Sequence, residues 1–416
     1  MEQLVMPLSS RDLDRIASKS KDVTDGLLYA GDHVREDSLG RSCNITAQKF
    51  PGDQDEGFDS IRSLDGGYLH SSAGVEVRKH LPGCGSWVYD KTKLRTGTIS
   101  VQLDAAPTPV QMAKLKAIPK IELHAHLNGC VRSSTLRELY LERGCKGKVS
   151  NSDLDCLILK ENRSLTECFR LFPFIHALTT DHAIVTRITK EAIEDFILDN
   201  VVYLELRTTP KTSEANGMSK RSYIEAVLAG FDDAGVSYDT KQDGGSRHSM
   251  QVRLLLSIDR RESTAAAMET VELAWELRHR GVVGIDLSGD PAVGTWNTFL
   301  PALMRAKQLG LPLTLHCGEV PRPEEIRAMI ALKPSRLGHV CCLEEKEWRL
   351  LLESQIPVEV CLTSNVRTEV IPSVNDHHFR LKDMELLLLA KSAVDYTFAD
   401  DVTKRILHRI FDDALQ

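Results

Sequence analysis

The spacing of apolar positions divides this chain near residue 110. Before it, apolar residues rarely recur at the spacing of a helix or a strand, and Ser38 to Gly85 is mostly turn chemistry. Such a stretch buries too little apolar surface to offset the entropy of ordering it, so residues 1–110 read as a disordered or loosely packed extension. Thr98–Leu103 alone alternates like a strand. From Lys120 onward, short apolar runs alternate with amphipathic stretches. The pattern predicts strands at Ile121–Leu127, Val201–Thr208, Val252–Asp259, Val282–Leu287, Leu311–Cys317, Arg336–Leu343 and Val358–Thr363. It predicts helices at Ser134–Glu142, Leu165–Leu178, Ala183–Leu198, Ser222–Asp233, Thr264–Arg280, Asn297–Gln308, Pro323–Ala331 and Glu344–Glu353. Near-continuous apolar strands separated by helices imply a parallel sheet covered on both faces. Residues 111–416 therefore read as one α/β unit, a (β/α)8 barrel.

The polar residues gather where such a barrel does its chemistry. His124, His126, Arg207, Asp259, Gly289, His316, Glu319, His339 and Asn365 all fall at or just past strand C-termini, the rim that carries barrel active sites. In His124-Ala125-His126 the two imidazoles share one face of a strand and can share a metal, although His-x-His alone is equally common as two ordinary histidines. His316 ends another apolar strand and offers a third imidazole. Gly318 permits a tight turn that sets Glu319 beside the metal position. Three imidazoles and a water describe an open catalytic zinc site, and a carboxylate beside that water can carry its proton. Glu319 alone would read as a helix N-terminal carboxylate, Cys317 as a core residue, and His339 as a structural histidine were it not on the same rim.

Composition narrows the picture. The chain has 416 residues, is 42% hydrophobic and has a formal net charge of -7. Nothing suggests the basic surface of a nucleic-acid binder. The ten cysteines include no Cys-x-x-Cys pair, which suits a reducing compartment. With no signal-like N-terminus and no apolar run of membrane length, the expectation is a cytoplasmic monomer without a membrane partner.

Glu122-Leu-His-Ala-His-Leu-Asn-Gly129, Leu204-Glu-Leu-Arg207, Gly284-Ile-Asp-Leu-Ser-Gly-Asp290, His316-Cys-Gly-Glu319, Leu337-Gly-His339 and Cys361-Leu-Thr-Ser-Asn365 stand in an order that resembles the adenosine deaminase family. The resemblance covers residues 115–416. Asn128, where classical members tend to carry Asp, and Ser288-Gly-Asp-Pro291 are similar to the branch acting on N6-methyl-AMP. The resemblance implies one zinc ion on His124, His126 and His316, Glu319 as proton donor to the purine and His339 as partner of the attacking hydroxide. It implies nucleotide contacts at His126, Asn128, His176, Thr208, Thr209, Pro210, Lys211, Asp259 and Gly289. The expected reaction is hydrolytic deamination of N6-methyl-AMP or a related adenine nucleotide or nucleoside, releasing methylamine or ammonia. Without the family, His176 would read as a helix residue and Asp259 as the partner of Arg260-Arg261.

The chain departs from that family at one place. The Thr-Asp-Asp segment of the eighth strand, source of a metal ligand and a purine contact, is missing. His377-His378-Phe379 still resembles the family, but Arg380-Leu-Lys-Asp383 runs directly into a helical pattern at Met384–Val394. Asp400-Asp401 is no substitute, since no apolar strand precedes it and Asp401 reads as a helix N-cap. The expected barrel therefore lacks its eighth strand, as a variant transcript or gene model would produce. It leaves edges that Thr98–Leu103 or a helix at Leu386–Leu389 could cover. Besides the active deaminase, two readings stay open: an impaired relative that at most binds nucleotide, and another His-x-His barrel metallohydrolase.

Overall fold

The computed structural model describes residues 4–6, 116–142, 154, 157–158, 160, 164–236, 250–367 and 390–415. Eight strands form one sheet: β1 (Leu4–Met6), β2 (Lys120–His126), β3 (Val201–Thr208), β4 (Gln251–Asp259), β5 (Val282–Ser288), β6 (Leu313–Cys317), β7 (Arg336–His339) and β8 (Val358–Val360). β2 to β8 lie side by side in chain order, and every neighbouring pair among them is parallel. Helices α1 (Ser133–Glu142), α2 (Leu165–Leu178), α3 (His182–Leu198), α4 (Lys220–Asp233), α5 (Thr264–Glu276), α6 (Trp296–Gln308), α7 (Pro323–Leu332) and α8 (Glu345–Ser354) fill the connections. Seven parallel strands with intervening helices make a nearly closed barrel of the TIM type. The strands are covered on both faces, and all nine residues of β4 are buried. That double coverage is why the strands read as apolar runs rather than as alternation.

Local signals account for most boundaries. Ser164 caps α2 and Glu167 returns the bond to its backbone, and Asp181 accepts from the first amides of α3. Such caps satisfy amides that the helix itself leaves unpaired. Several elements stop earlier than the apolar pattern predicts. β7 ends at His339 because His339 and Val340 both take positive φ, 64° and 55°. β8 ends at Val360 and the chain enters a short helix, α9 (Leu362–Arg367), where the sequence pattern predicts strand to Thr363. α5 stops at Glu276, and Arg278–Arg280 forms a 3-10 turn closed by Gly281 at φ 91°.

Among the described residues no further parallel strand follows β8, and its free edge is taken in a way the sequence did not suggest. β1 pairs antiparallel with β8, Leu4 opposite Val360 and Met6 opposite Val358. Among the described residues no ladder joins β1 to β2, so the sheet runs from β1 to β2 without closing. Thr98–Leu103 and Leu386–Leu389 lie outside the described residues.

The opposite end of the barrel is plugged by the C-terminal segment. Phe398 lies under the Arg336 guanidinium, 3.6 Å from its ring centroid, and Arg336 Nη1 donates to the Tyr396 carbonyl at 2.6 Å. Arg336 opens β7 and Arg253, which reaches Thr403, lies near the start of β4. Asp400 and Asp401 therefore stand at the strand N-termini, away from the histidine rim. Asp400, not Asp401, caps the last helix, α10 (Asp401–Leu415), accepting from Thr403 N at 2.8 Å. No helix among the described residues is long and apolar enough to cross a membrane.

Candidate active site

Three imidazoles from two strands point at one spot. The Nε2 atoms of His124 and His316 are 3.1 Å apart, those of His126 and His316 3.0 Å, and those of His126 and His124 3.4 Å. Local structure explains the convergence. β2 slips its register against β3 between Glu122 and Ala125, a bulge that turns His124 toward the barrel axis. Glu122, whose carboxyl burial pushes up to about 7, accepts from His124 N at 2.8 Å and fixes that bulge. Gly338 lies against the His124 ring: a Cβ there would stand 2.8 Å from His124 Cε1.

The far nitrogens of two of the rings are held by buried carboxylates. Glu359 Oε2 accepts from His124 Nδ1 at 2.5 Å, and Asp286 Oδ1 accepts from His316 Nδ1 at 3.0 Å. Burial alone would raise the Glu359 carboxyl, but Arg207 and Arg336 hold it well below the usual carboxylate range. For Asp286 the charges of His316 and Arg207 overcome burial in the same way. An ionised carboxylate can only accept, so both Nδ1 atoms donate, and both Nε2 atoms present lone pairs when the rings are neutral. Burial first, and then Arg207, hold His124 well below the ordinary imidazole value; burial first, and then His316, do so for His126. His316 is raised instead, Asp286 outweighing burial. Facing lone pairs about 3 Å apart repel, so the centre needs a proton or a cation. A tetrahedral ion with bonds of about 2.0–2.1 Å requires nitrogens about 3.3–3.4 Å apart. The observed triangle fits that ion with little adjustment.

His339 and Glu319 complete the rim. His339 Nδ1 donates to Asn365 Oδ1 at 3.2 Å, while its buried Nε2 lacks a hydrogen-bond partner and stands 3.5 Å from Glu319 Oε1. Positive φ at His339 and at β-branched Val340 costs roughly 1–3 kcal/mol each. That strain turns the imidazole back over the cluster, 4.9 Å from the His124 ring and 5.1 Å from the His316 ring. Gly318, at φ 66°, makes the turn that delivers Glu319. Two groupings among the described residues are compact enough to hold a metal: His124 with His316 and His339, and His126 with Asp286 and His316. A cleft beside them is lined by Arg260, Pro291, His316, Glu319 and Arg322.

The expected nucleotide contacts divide into several environments. Asn128 is buried in the turn after β2, its Oδ1 without a hydrogen-bond partner. Thr208 shares a hydrogen bond with the Tyr223 hydroxyl at 2.7 Å, and Thr209 and Pro210 lead to Lys211. Lys211 Nζ is buried with no hydrogen-bond partner, and burial, helped by the charge of Arg261, pushes it down to about 7. Burial, then Lys211 and Arg261, push His176 down to about 3. Asp259 is gripped by Arg261 through both oxygens, at 2.9 and 2.6 Å, whereas Arg260 turns away to Glu325. Gly289, at φ 102°, passes close to Asp259: a Cβ there would stand 3.0 Å from Asp259 Oδ1.

Sequence reasoning placed His124, His126, His316, Glu319 and His339 on one rim, where they are found. It overlooked the work of Arg207, Asp286 and Glu359, all essentially inaccessible to solvent. The signal for Glu359 was present: a carboxylate between two valines of an apolar strand is expensive unless paired.

Fold and cluster together define a β/α-barrel protein with a metal-capable site at its C-terminal rim. The chain belongs to the adenosine deaminase family, which it matches over residues 119–405. It is similar to the N6-mAMP deaminase of Arabidopsis thaliana, 49% identical over 350 residues that span 73% of this chain and 99% of the relative. The N6-methyl-AMP deaminase of Mus musculus is 40% identical over 275 residues, 63% of this chain and 72% of that protein. A solved structure of Arabidopsis N6-mAMP deaminase superposes with a TM-score of 0.67 at 49% identity, covering 73% of this chain and 100% of the other. A structure of Arabidopsis ADAL complexed with IMP gives 0.65 at 50% identity, covering 72% and 98%.

Proposed function

We propose that this chain is a zinc site built for hydrolytic deamination of N6-methyl-AMP or a closely related adenine nucleotide or nucleoside. The observation that carries the reading is the triangle of Nε2 atoms on His124, His126 and His316, two of whose rings, when neutral, are held with lone pairs inward. These three are the residues that would hold the ion. A zinc ion bound there supplies Lewis acidity that lowers the pKa of water.

The chain's own groups supply the rest. Glu319 stands at the cleft to deliver a proton to the purine N1, making C6 a better electrophile. His339, with its free Nε2, holds the oxygen that attacks C6. The water oxygen bonds to C6 while its two protons pass one through Glu319 to N1 and the other to N6; the C6–N6 bond then breaks, releasing methylamine or ammonia and leaving a carbonyl at C6. Asn128 offers an amide to the purine, while Thr208, Thr209, Pro210, Lys211, His176, Asp259 and Gly289 form the ribose-phosphate side. An orphan buried ammonium among Arg261 and His176 is an environment that a phosphate relieves. Arg261 thus joins the set. Cys130, Cys317, Cys341, Cys342 and Cys361 are free thiols, in keeping with a reducing cytoplasm, and we take the protein to act there as a monomer.

A second reading has its own observation. The eighth barrel position is held by antiparallel β1, and the metal-capable groupings among the described residues contain no carboxylate besides Asp286, already committed to His316 and Arg207. The chain then binds zinc and nucleotide but turns over slowly. Loss of one positioned ligand or proton carrier typically removes about 10²–10⁴ in rate. Chelator-stripped protein reloaded with zinc and assayed for methylamine from N6-methyl-AMP decides between the two. The expected outcome is one zinc per chain, measurable IMP binding and turnover depressed by that factor, abolished in Glu319→Gln. Zinc retained after His316→Ala would overturn the metal assignment. Turnover equal to an intact relative would overturn the impairment.

A further inference from the structure

Arg207 touches both carboxylates that steer the histidine cluster. Its Nη1 donates to Asp286 Oδ1 at 3.3 Å, the oxygen that also holds His316 Nδ1. Its Nη2 donates to Glu359 Oε2 at 2.9 Å, the oxygen that also holds His124 Nδ1. The same Nη2 donates to the carbonyl of Leu123, in the peptide that enters the His124 bulge. The side chain is fully buried. Its Nε has no hydrogen-bond partner, an omission that is costly in a buried donor. A guanidinium serving stability alone would be better placed with all donors used. This one is spread across three acceptors, each directly attached to a ring or strand that carries the cluster.

We propose that Arg207 is the positioning residue of the metal site, a single rigid fork that sets the tautomer and aim of His124 and His316 together through Glu359 and Asp286. The inference rests on the metal reading only in naming what the aimed nitrogens are for. A planar fork with fixed donors can bridge two carboxylates in defined geometry, whereas an ammonium on a flexible stem cannot. Carboxylates that hold a ligand histidine set its orientation and basicity, and losing one commonly lowers metal affinity about 10–100-fold. Arg207 governs two at once, so its effect reaches both rings. Arg336 is the internal comparison. It is equally buried and also holds Glu359, at Oε1, but its other partners are Glu205 and the floor of the barrel, not Asp286.

The test is Arg207→Lys beside Arg336→Lys, each checked for fold by circular dichroism and thermal midpoint. In metal-free protein, long-range ¹⁵N histidine NMR reads the tautomers. Arg207→Lys should move both His124 and His316 away from the Nδ1–H form, and Arg336→Lys should move His124 alone. Zinc affinity, by competition with a chromogenic chelator, should fall about 10–100-fold in Arg207→Lys, and the visible spectrum of the cobalt-loaded protein should change shape. If Arg207→Lys does not fold, Glu359→Gln serves: of the two rings it touches only His124 directly, yet should shift His316 through the displaced guanidinium. A folded Arg207→Lys with unchanged tautomers and zinc affinity, or a Glu359→Gln that leaves His316 untouched, overturns the proposal. Failure of the wild-type protein to bind zinc would overturn the metal reading, while the metal-free NMR would still judge Arg207.

Discussion

Lys211 should make nucleotide binding depend on pH in a direction that its surroundings determine. Burial and the neighbouring charge of Arg261 push its ammonium down to about 7, from an ordinary value of 10.5. A displacement of that size corresponds to roughly 4–5 kcal/mol against the charged form. A nucleoside monophosphate brings a near-dianion to the ammonium and raises it again. Below the free-protein value, Lys211 is already protonated and binding takes up no proton. Above it, binding must first protonate the amine, so affinity falls by up to about tenfold per pH unit until the value in the complex is reached. The phosphate itself ionises near pH 6, so it contributes little slope above 7. Isothermal titration of IMP from pH 6.5 to 9, in two buffers of different ionisation enthalpy, reads both affinity and proton uptake. Inosine, lacking the phosphate, should show neither trend, and Lys211→Met should flatten the IMP profile. An IMP affinity that stays level or strengthens from pH 7 to 9 in the unsubstituted protein would refute the reasoning.

Two further outcomes follow from packing. Gly338→Ala sets a methyl 2.8 Å from His124 Cε1 and 3.2 Å from its Nδ1. Overpacking of this kind costs about 1–3 kcal/mol, and zinc affinity should fall with the denaturation midpoint. A variant as stable and as tight for zinc as the parent would show the strand yields without moving the ring. Removing residues 1–6 uncovers the β8 edge that β1 occupies. Sedimentation should then reveal concentration-dependent association absent from the full chain, and an unchanged monomer would mean the edge is covered by something else.

Most of the barrel was legible because parallel strands covered on both faces leave an unmistakable apolar run. Val201–Thr208 is a strand over the residues its pattern predicts. Endings were harder to read. His339 and Val340 leave the strand through a left-handed conformation that no glycine announces, because tertiary packing rather than residue preference imposes it. Histidines on the rim could be read because imidazoles at several strand ends are rare by chance. The carboxylates behind them were not, since a lone charge within an apolar strand, as at Asp286 and Glu359, shows that a partner must exist but not which residue, distant in sequence, it is. Leu4–Met6 carried no signal either: three residues cannot establish a period, and their pairing depends on a breach created at the other end of the chain.

That last pairing has a consequence for the order of assembly. β1 is synthesised before every other described element, and β8 after nearly all of them, so β1 must wait while the rest of the barrel forms. Closing a loop of that length costs about 5 kcal/mol by chain statistics, against a ladder only three residues long. The join is therefore the last to form and the first to open. Opening is expected first at the seam between β8 and β1, so amides of Leu4–Met6 should exchange with solvent long before those of β4.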